Sequence, residues 1–215
     1  GIASGYSGIH IEDVASPECF EIVRKLRSRL DIPVMQDDQD GTAAVVLGAV
    51  LSAMRAIGKD LRKVTVGQLG LGAAGLSIAN LLMHTSGNPV FGADLNEESL
   101  IRHESLGGRR STQEEVMELA DVVIATTGVP GLISEKSVRN GQVVFALSNP
   151  DPEISPAKAV GAGAILAADG TSVNNLLGYP GIWKGALATR ANTINREMLV
   201  AAGQALDAAT PAGEL

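Results

Sequence analysis

The chain has 215 residues, 45% of them apolar and only 3% aromatic, and a formal net charge of −7. That length and apolar share support a sizeable core, while the acidic balance leaves no basic stripe for nucleic acid. A single cysteine, Cys19, excludes an internal disulfide and suits the cytoplasm, and no run is long and apolar enough for a membrane span or a signal peptide.

A Gly/Ser-rich opening leads into a short strand, Ile9-His10-Ile11, that ends in Glu12-Asp13. Ser16 as N-cap and Pro17 at the first helical position predict a helix, with Phe20, Val23, Leu26 and Leu30 recurring at helical spacing. A second strand, Ile32 to Met35, ends in Gln36-Asp37-Asp38-Gln39-Asp40-Gly41. A long apolar helix is predicted from Thr42 to Ile57, stopped by Gly58. Residues 59–63 form a polar joint.

The strand Val64 to Leu69 runs into Gly70-Leu71-Gly72-Ala73-Ala74-Gly75 and a helix to about Met83. Some 20 residues on, Val90 to Ala93 ends in Asp94. This is the dinucleotide-binding pattern. The first glycine allows the tight turn, the second lets backbone approach a pyrophosphate, and the third lets helix and strand pack closely. Free N–H groups at the helix start would hold the phosphates. Asp94 would accept the ribose hydroxyls and repel a 2′-phosphate, which favours NAD over NADP; Arg102, close in sequence, argues the other way.

Further helices are predicted near Glu97 and over Thr112–Leu119, and strands at Val122–Ala125, Val143–Leu147 and Ala164–Ala167. A helix from Asn195 to Ala208 closes the chain, with a frayed end at 210–215. Strands alternate with helices, so the fold class is α/β with a doubly wound parallel sheet. Residues 1–60 form a metal-binding α/β segment and 61–215 the Rossmann-type domain.

Glu12-Asp13 and Asp37-Asp38 both follow strand ends, where α/β sheets gather ligands. Acids held together need a positive charge between them, and Mg²⁺ or Mn²⁺ takes carboxylates readily. The competing reading is that Asp13 and Asp40 merely favour the helix starts that follow them. His10, His84 and His103 fit no metal-ligand spacing and read as surface or interface residues; Arg24, Lys25, Arg27 and Arg29 read as a solvated helix face.

Taken in order, Gly8-Ile9-His10-Ile11-Glu12-Asp13, Pro17-Glu18-Cys19-Phe20, Asp37-Asp38-Gln39, the glycine turn, Leu147-Ser148-Asn149-Pro150, Asn174-Asn175 and Pro180-Gly181-Ile182-Trp183-Lys184-Gly185 resemble the metal- and NAD-binding C-terminal part of bacterial-type malic enzymes. The resemblance covers almost the whole chain. It implies metal-dependent oxidative decarboxylation of malate to pyruvate with NAD or NADP, by a cytoplasmic homo-oligomer such as a dimer. By position it makes Glu12, Asp13 and Asp38 the ligands of Mg²⁺ or Mn²⁺. It makes Asp37 a carboxylate that positions a catalytic lysine, and Asn149 and Asn175 contacts to the 2-hydroxy dicarboxylate. Candidate cofactor contacts are Gly70, Gly72, Ala73, Ala74, Gly75, Asp94, Thr127, Gly128, Asn149 and Asn174.

Three departures from the family pattern stand out. Gln36 and Asp40 occupy positions where histidines flank the acidic run, and the loop Asp169-Gly170-Thr171-Ser172-Val173 is shorter than usual. The tyrosine acid and lysine base belong to an N-terminal domain and fall on no residue here; Lys184 is the catalytic candidate that remains. A truncated homologue that binds cofactor or metal without full catalysis, or a mini-enzyme for another 2-hydroxy acid, are the alternatives.

Overall fold

The computed structural model describes residues 5–211, so parts of the opening stretch and of the 210–215 end lie outside the described residues. β1 (Ile9–Ile11) pairs in parallel with β2 (Val34–Gln36), Ile9 opposite Val34, and α1 (Glu18–Arg27) connects them. β2 runs into a π-helical turn, Asp37–Gly41, and directly on into α2 (Thr42–Ala56).

The main sheet is built from β3 (Val66–Leu69), β4 (Phe91–Ala93), β5 (Arg109–Arg110), β6 (Val122–Ala125), β7 (Val143–Ala146) and β8 (Leu166–Asp169). All its pairings are parallel, in the order β5-β4-β3-β6-β7-β8. The first strand of the sheet therefore lies at its centre and the chain winds outward in both directions, the Rossmann order. Its helices are α3 (Ala73–Ser86), α4 (Glu97–Ser105), α5 (Gln113–Leu119), α6 (Pro156–Gly161), α7 (Tyr179–Ala188) and α8 (Arg196–Ala209).

Every residue of β3, β6 and β7 is buried, as expected for parallel strands covered on both faces. Alternate residues supply opposite faces. Val122, Ile124 and Phe145 join one cluster with Val46, Leu47, Ile78 and Leu82 of α2 and α3. Val123, Ala125 and Val144 join the other with Val116 and Met117 of α5. Helix α2 thus packs into the same core as the main sheet, and Arg55 on it bonds Asp207 of α8 at 2.9 Å.

Several local expectations shift. Ser16 is not a cap: α1 starts one residue later than expected, with Pro17 at the N-cap and no side-chain bond there. The last strand lies at Leu166–Asp169 rather than Ala164–Ala167. The elements β5, α6 and α7 stand outside the sequence reading. β5 is two arginines with no apolar alternation, and α6 is too short to show a period. In α7, Pro180 falls in the first turn, where its missing N–H is tolerated. Arg27 is no solvated charge, for it donates to the Val34 carbonyl at 3.1 Å and to Asp40 at 2.5 Å. Arg102 stacks on Phe20, 4.4 Å from the ring centre.

His103 is fully buried rather than on the surface, with its ring against Gly92 and Gly108. Its Nε2–H donates to the Val90 carbonyl at 2.9 Å, and Nδ1 has no partner among the described residues. A second proton would sit on Nδ1 with nothing to accept it, so burial holds the imidazole below its usual 6.5. Below that pH the unfolded chain binds the proton that the folded chain refuses, so stability falls as pH falls, by up to about 1.4 kcal/mol per pH unit. Urea unfolding at pH 7.5 and pH 5.5 should show this loss, and His103→Phe should shrink it. An equal loss in both proteins would clear His103 of the effect.

Candidate functional site

The switch point between β3 and β6 opens a cleft beyond the strand ends. Gly70, at φ +82, turns the chain there, and a Cβ on it would stand 2.7 Å from the Thr126 carbonyl oxygen. A Cβ on Gly75 would overlap the Gly70 carbonyl, so α3 can lie this close to β3 only without one. The buried Gln68 fastens the same corner, donating through Nε2 to the Gly70 carbonyl at 3.1 Å and to Thr126 Oγ1 at 2.9 Å. Asp94, at the end of β4, accepts from the Leu71 N–H at 2.5 Å and the Asn96 N–H at 2.8 Å. Gly70, Gly72, Asp94, Arg110 and Thr127 line a cleft of about 850 Å³ at the N-terminus of α3. Its shape and its free helix N-terminus fit a dinucleotide.

The acids gather where β1 and β2 end. Glu12 follows directly on β1 and lies 3.2 Å from His10 Nε2, and the adjacent β2 leads into Asp37. His10, Glu12 and Asp37 place one ligand atom each within 4.8 Å of one another. His10 is exposed, as its surface reading expects, and stands within reach of these two acids. Asp37 is 4% exposed; its Oδ2 accepts from Asn175 Nδ2 at 2.6 Å, while its Oδ1 is buried with no partner among the described residues. Burial pushes this carboxyl above its usual range, opposed by His10 and by the Asn175 bond. A buried oxygen without a donor, beside further carboxylates, fits a hard divalent cation.

Asp38 Oδ2 accepts from Gln36 Nε2 at 2.7 Å and from the Asp13 N–H at 3.1 Å, which ties three residues of the acidic cluster together. Asp13 has φ +56, a left-handed conformation that aspartate tolerates better than most residues. Neither Asp13 nor Asp40 caps a helix: the N-caps are Pro17 and Gly41. Asp40 instead accepts from the Gln36 N–H at 3.1 Å and from Arg27. Gln36 and Asp40 thus serve as struts, Gln36 orienting Asp38 and Asp40 anchoring the turn.

Asp38, Ala74, Asn149, Asn174 and Asn175 line one smaller cleft of about 310 Å³. Gly170 leaves room for the Asn149 amide, which a Cβ there would meet at 2.7 Å. Asn174 caps the short turn that follows it, through the Leu176 N–H at 2.9 Å. The short loop after β8 is drawn tight by Asp169, whose carboxyl the Thr171 hydroxyl and amide hold below the usual range.

Glu153 was not singled out by the sequence reading beyond its place in the Asn-Pro-Asp-Pro-Glu run. It is fully buried and accepts from the Thr127 amide and hydroxyl at 2.7 Å each and from the Ser148 hydroxyl at 2.5 Å. The Ser148 hydroxyl oxygen in turn accepts from the Gly128 N–H at 2.8 Å. One carboxylate therefore locks the loops after β6 and β7, which carry Thr127, Gly128 and Asn149. Lys184 is exposed on α7 and lines neither cleft.

No protein-family model matches the chain. The NAD-dependent malic enzyme 1 of Bacillus subtilis is 54% identical over 215 residues, which is 100% of this chain and 49% of that protein. The chain is a malic-enzyme homologue throughout its length. The NAD-dependent malic enzyme of Geobacillus stearothermophilus is 35% identical, again over 100% of this chain and 49% of the relative. A crystal structure of malic enzyme from Pyrococcus horikoshii superposes with a TM-score of 0.90 at 36% identity, covering 98% of this chain and 56% of that one. The malic-enzyme homologue therefore spans about half the length of the curated relatives it matches. No described helix is long and apolar enough to cross a membrane.

Proposed function

We propose that the protein carrying this chain catalyses metal-dependent oxidative decarboxylation of malate to pyruvate with NAD or NADP. The observation that carries this reading is the smaller cleft, where Asp38 and the three asparagines meet Ala74 at the start of the dinucleotide helix. Residues 1–60 would act as the metal-binding segment and 61–215 as the dinucleotide-binding one.

Glu12, Asp13 and Asp38 would hold Mg²⁺ or Mn²⁺, with Asp37 and His10 close beside them. When bound, the cation supplies Lewis-acid polarisation of the C2 oxygen and the nicotinamide accepts the hydride. The chain's own residues bind and orient. Asn149 and Asn175 offer amide donors that can hold a substrate carboxylate without adding charge, and Asn175 also fixes Asp37. The N–H groups at the start of α3 would hold the pyrophosphate, and Asp94 would hold the ribose. Glu153 keeps the loops after β6 and β7 in place. Names of the relatives support both cofactors, being NAD-dependent in some and NADP-dependent in others. The lone buried Cys19 supports the cytoplasm as its compartment.

The test is malate oxidation by the full-length protein with Mn²⁺ and each cofactor. Reduced cofactor, pyruvate and carbon dioxide should form in equal amounts. Oxaloacetate accumulating without carbon dioxide, or faster turnover of a 2-hydroxy acid that lacks the second carboxylate, would reject the assignment.

A further inference from the structure

Arg110 stands at the rim of the larger cleft, on β5 and one strand over from the Asp94 strand end, and lines the cleft together with Asp94 and Leu95. In this fold an acid at that strand end bonds the 2′-hydroxyl of NAD, and an arginine nearby accommodates the 2′-phosphate of NADP. This chain carries both, so the state of the arginine decides which cofactor fits.

The guanidinium is occupied. Its Nη1 and Nη2 bind the two oxygens of Glu97 at 2.9 and 2.7 Å, a bidentate fork, and its Nε reaches Glu104 at 3.2 Å. Nη2 also lies 3.1 Å from Glu104. The fork holds Glu97 below the usual carboxylate range, so both members are charged. One positive charge is met by two negative ones, and Asp94 adds a further negative charge at the same rim. Arg102, the cation that sequence proximity suggested, stacks on Phe20 and does not line this cleft.

We propose that Arg110 is a 2′-phosphate receptor held shut by Glu97 and Glu104, and that this clamp makes the protein select NAD(H) over NADP(H). The proposal rests on the dinucleotide reading of the cleft and names what sets its selectivity. An ordinary surface ion-pair network with the same bonds would touch stability slightly and leave the cofactor ratio alone. Glu97, Glu104 and Arg110 are 64%, 46% and 38% exposed at their side chains, so their replacement leaves the core untouched.

The experiment is fluorescence titration of the full-length protein with NADH and with NADPH, for wild type, Glu97→Gln/Glu104→Gln, and the same double variant carrying Arg110→Met. Wild type should bind NADH more tightly. The double variant should bind NADPH about tenfold more tightly than wild type does, the worth of one charge-assisted hydrogen bond, with NADH affinity moved less than about threefold. Adding Arg110→Met should erase the gain. A wild-type preference for NADPH, an unmoved affinity ratio in the double variant, or a gain that survives Arg110→Met would each overturn the clamp while leaving the cleft a dinucleotide site. A wild-type protein that binds neither nucleotide would overturn the dinucleotide reading, and the clamp with it.

Discussion

Gly72→Val should abolish NADH binding and leave the fold standing. Gly72 has φ −71 and ψ −161, an extended conformation open to any residue. A Cβ on it meets no protein atom within 4 Å, so the valine methyls have nothing to displace except what enters the cleft. The backbone beside it is where the pyrophosphate must approach, and forcing three carbon atoms into that path while breaking N–H contacts should weaken binding by at least about 100-fold. Stability should fall by only about 1 kcal/mol, because Gly72 is the N-cap of α3 and valine is a poor capping residue. Gly75→Ala makes the contrast: its methyl would overlap the Gly70 carbonyl and so disturb the turn itself. NADH titration alongside thermal unfolding separates the two cases. Equal NADH affinity in wild type and Gly72→Val would remove the glycine turn from the binding site.

The parts of the molecule that were legible in the sequence are those written in local chemistry. β6 lies at Val122–Ala125, with the bounds its unbroken apolar run predicts, because a buried parallel strand excludes polar residues at every position. The glycine turn was legible for the same kind of reason: only glycine allows φ +82 at residue 70 and the approach of α3 at residue 75. What was not legible depends on partners far away in the chain. Asp37 and Asn175 are 138 positions apart, and their 2.6 Å bond leaves no trace in spacing. His10 looked isolated because, Glu12 apart, its neighbours are distant in sequence: Asp37 in the turn after β2, and Tyr179 and Trp183 on α7. Arg110 was hidden because β5 has only two residues, and its glutamates belong to the preceding helix. The π-helical turn at Asp37–Gly41 carries no apolar period in its acidic run; the cap by Gln36 and the bonds from Arg27 and Asn175 shape it instead.

The acidic cluster yields the second large effect, because two adjacent aspartates should respond in different ways. Asp38→Asn should lower Mn²⁺ affinity by at least about 100-fold, beyond the 10- to 100-fold typical of a residue that only supports a ligand. The substitution keeps the side chain's size and an oxygen to accept from Gln36 Nε2 and the Asp13 N–H, so the struts survive and only the charge is lost. Asp37→Asn should cost about 10- to 100-fold in Mn²⁺ affinity, the range for a supporting group, and should at the same time stabilise the metal-free fold. Burial disfavours the Asp37 carboxylate, which raises its pKa, so the folded chain holds a proton that the unfolded chain releases. Stability from this group therefore declines as pH rises from its usual 3.8 through the raised value, and above that window an uncharged amide removes the penalty. Asparagine also retains an oxygen to accept from Asn175. Calorimetric Mn²⁺ titration and metal-free unfolding of the full-length protein and both variants at pH 7.5 measure the two quantities together. Unchanged Mn²⁺ affinity in Asp38→Asn would take that residue out of the metal site. A destabilised metal-free Asp37→Asn would show that the Asp37 charge is compensated within the fold, so that its buried oxygen makes no demand for a cation.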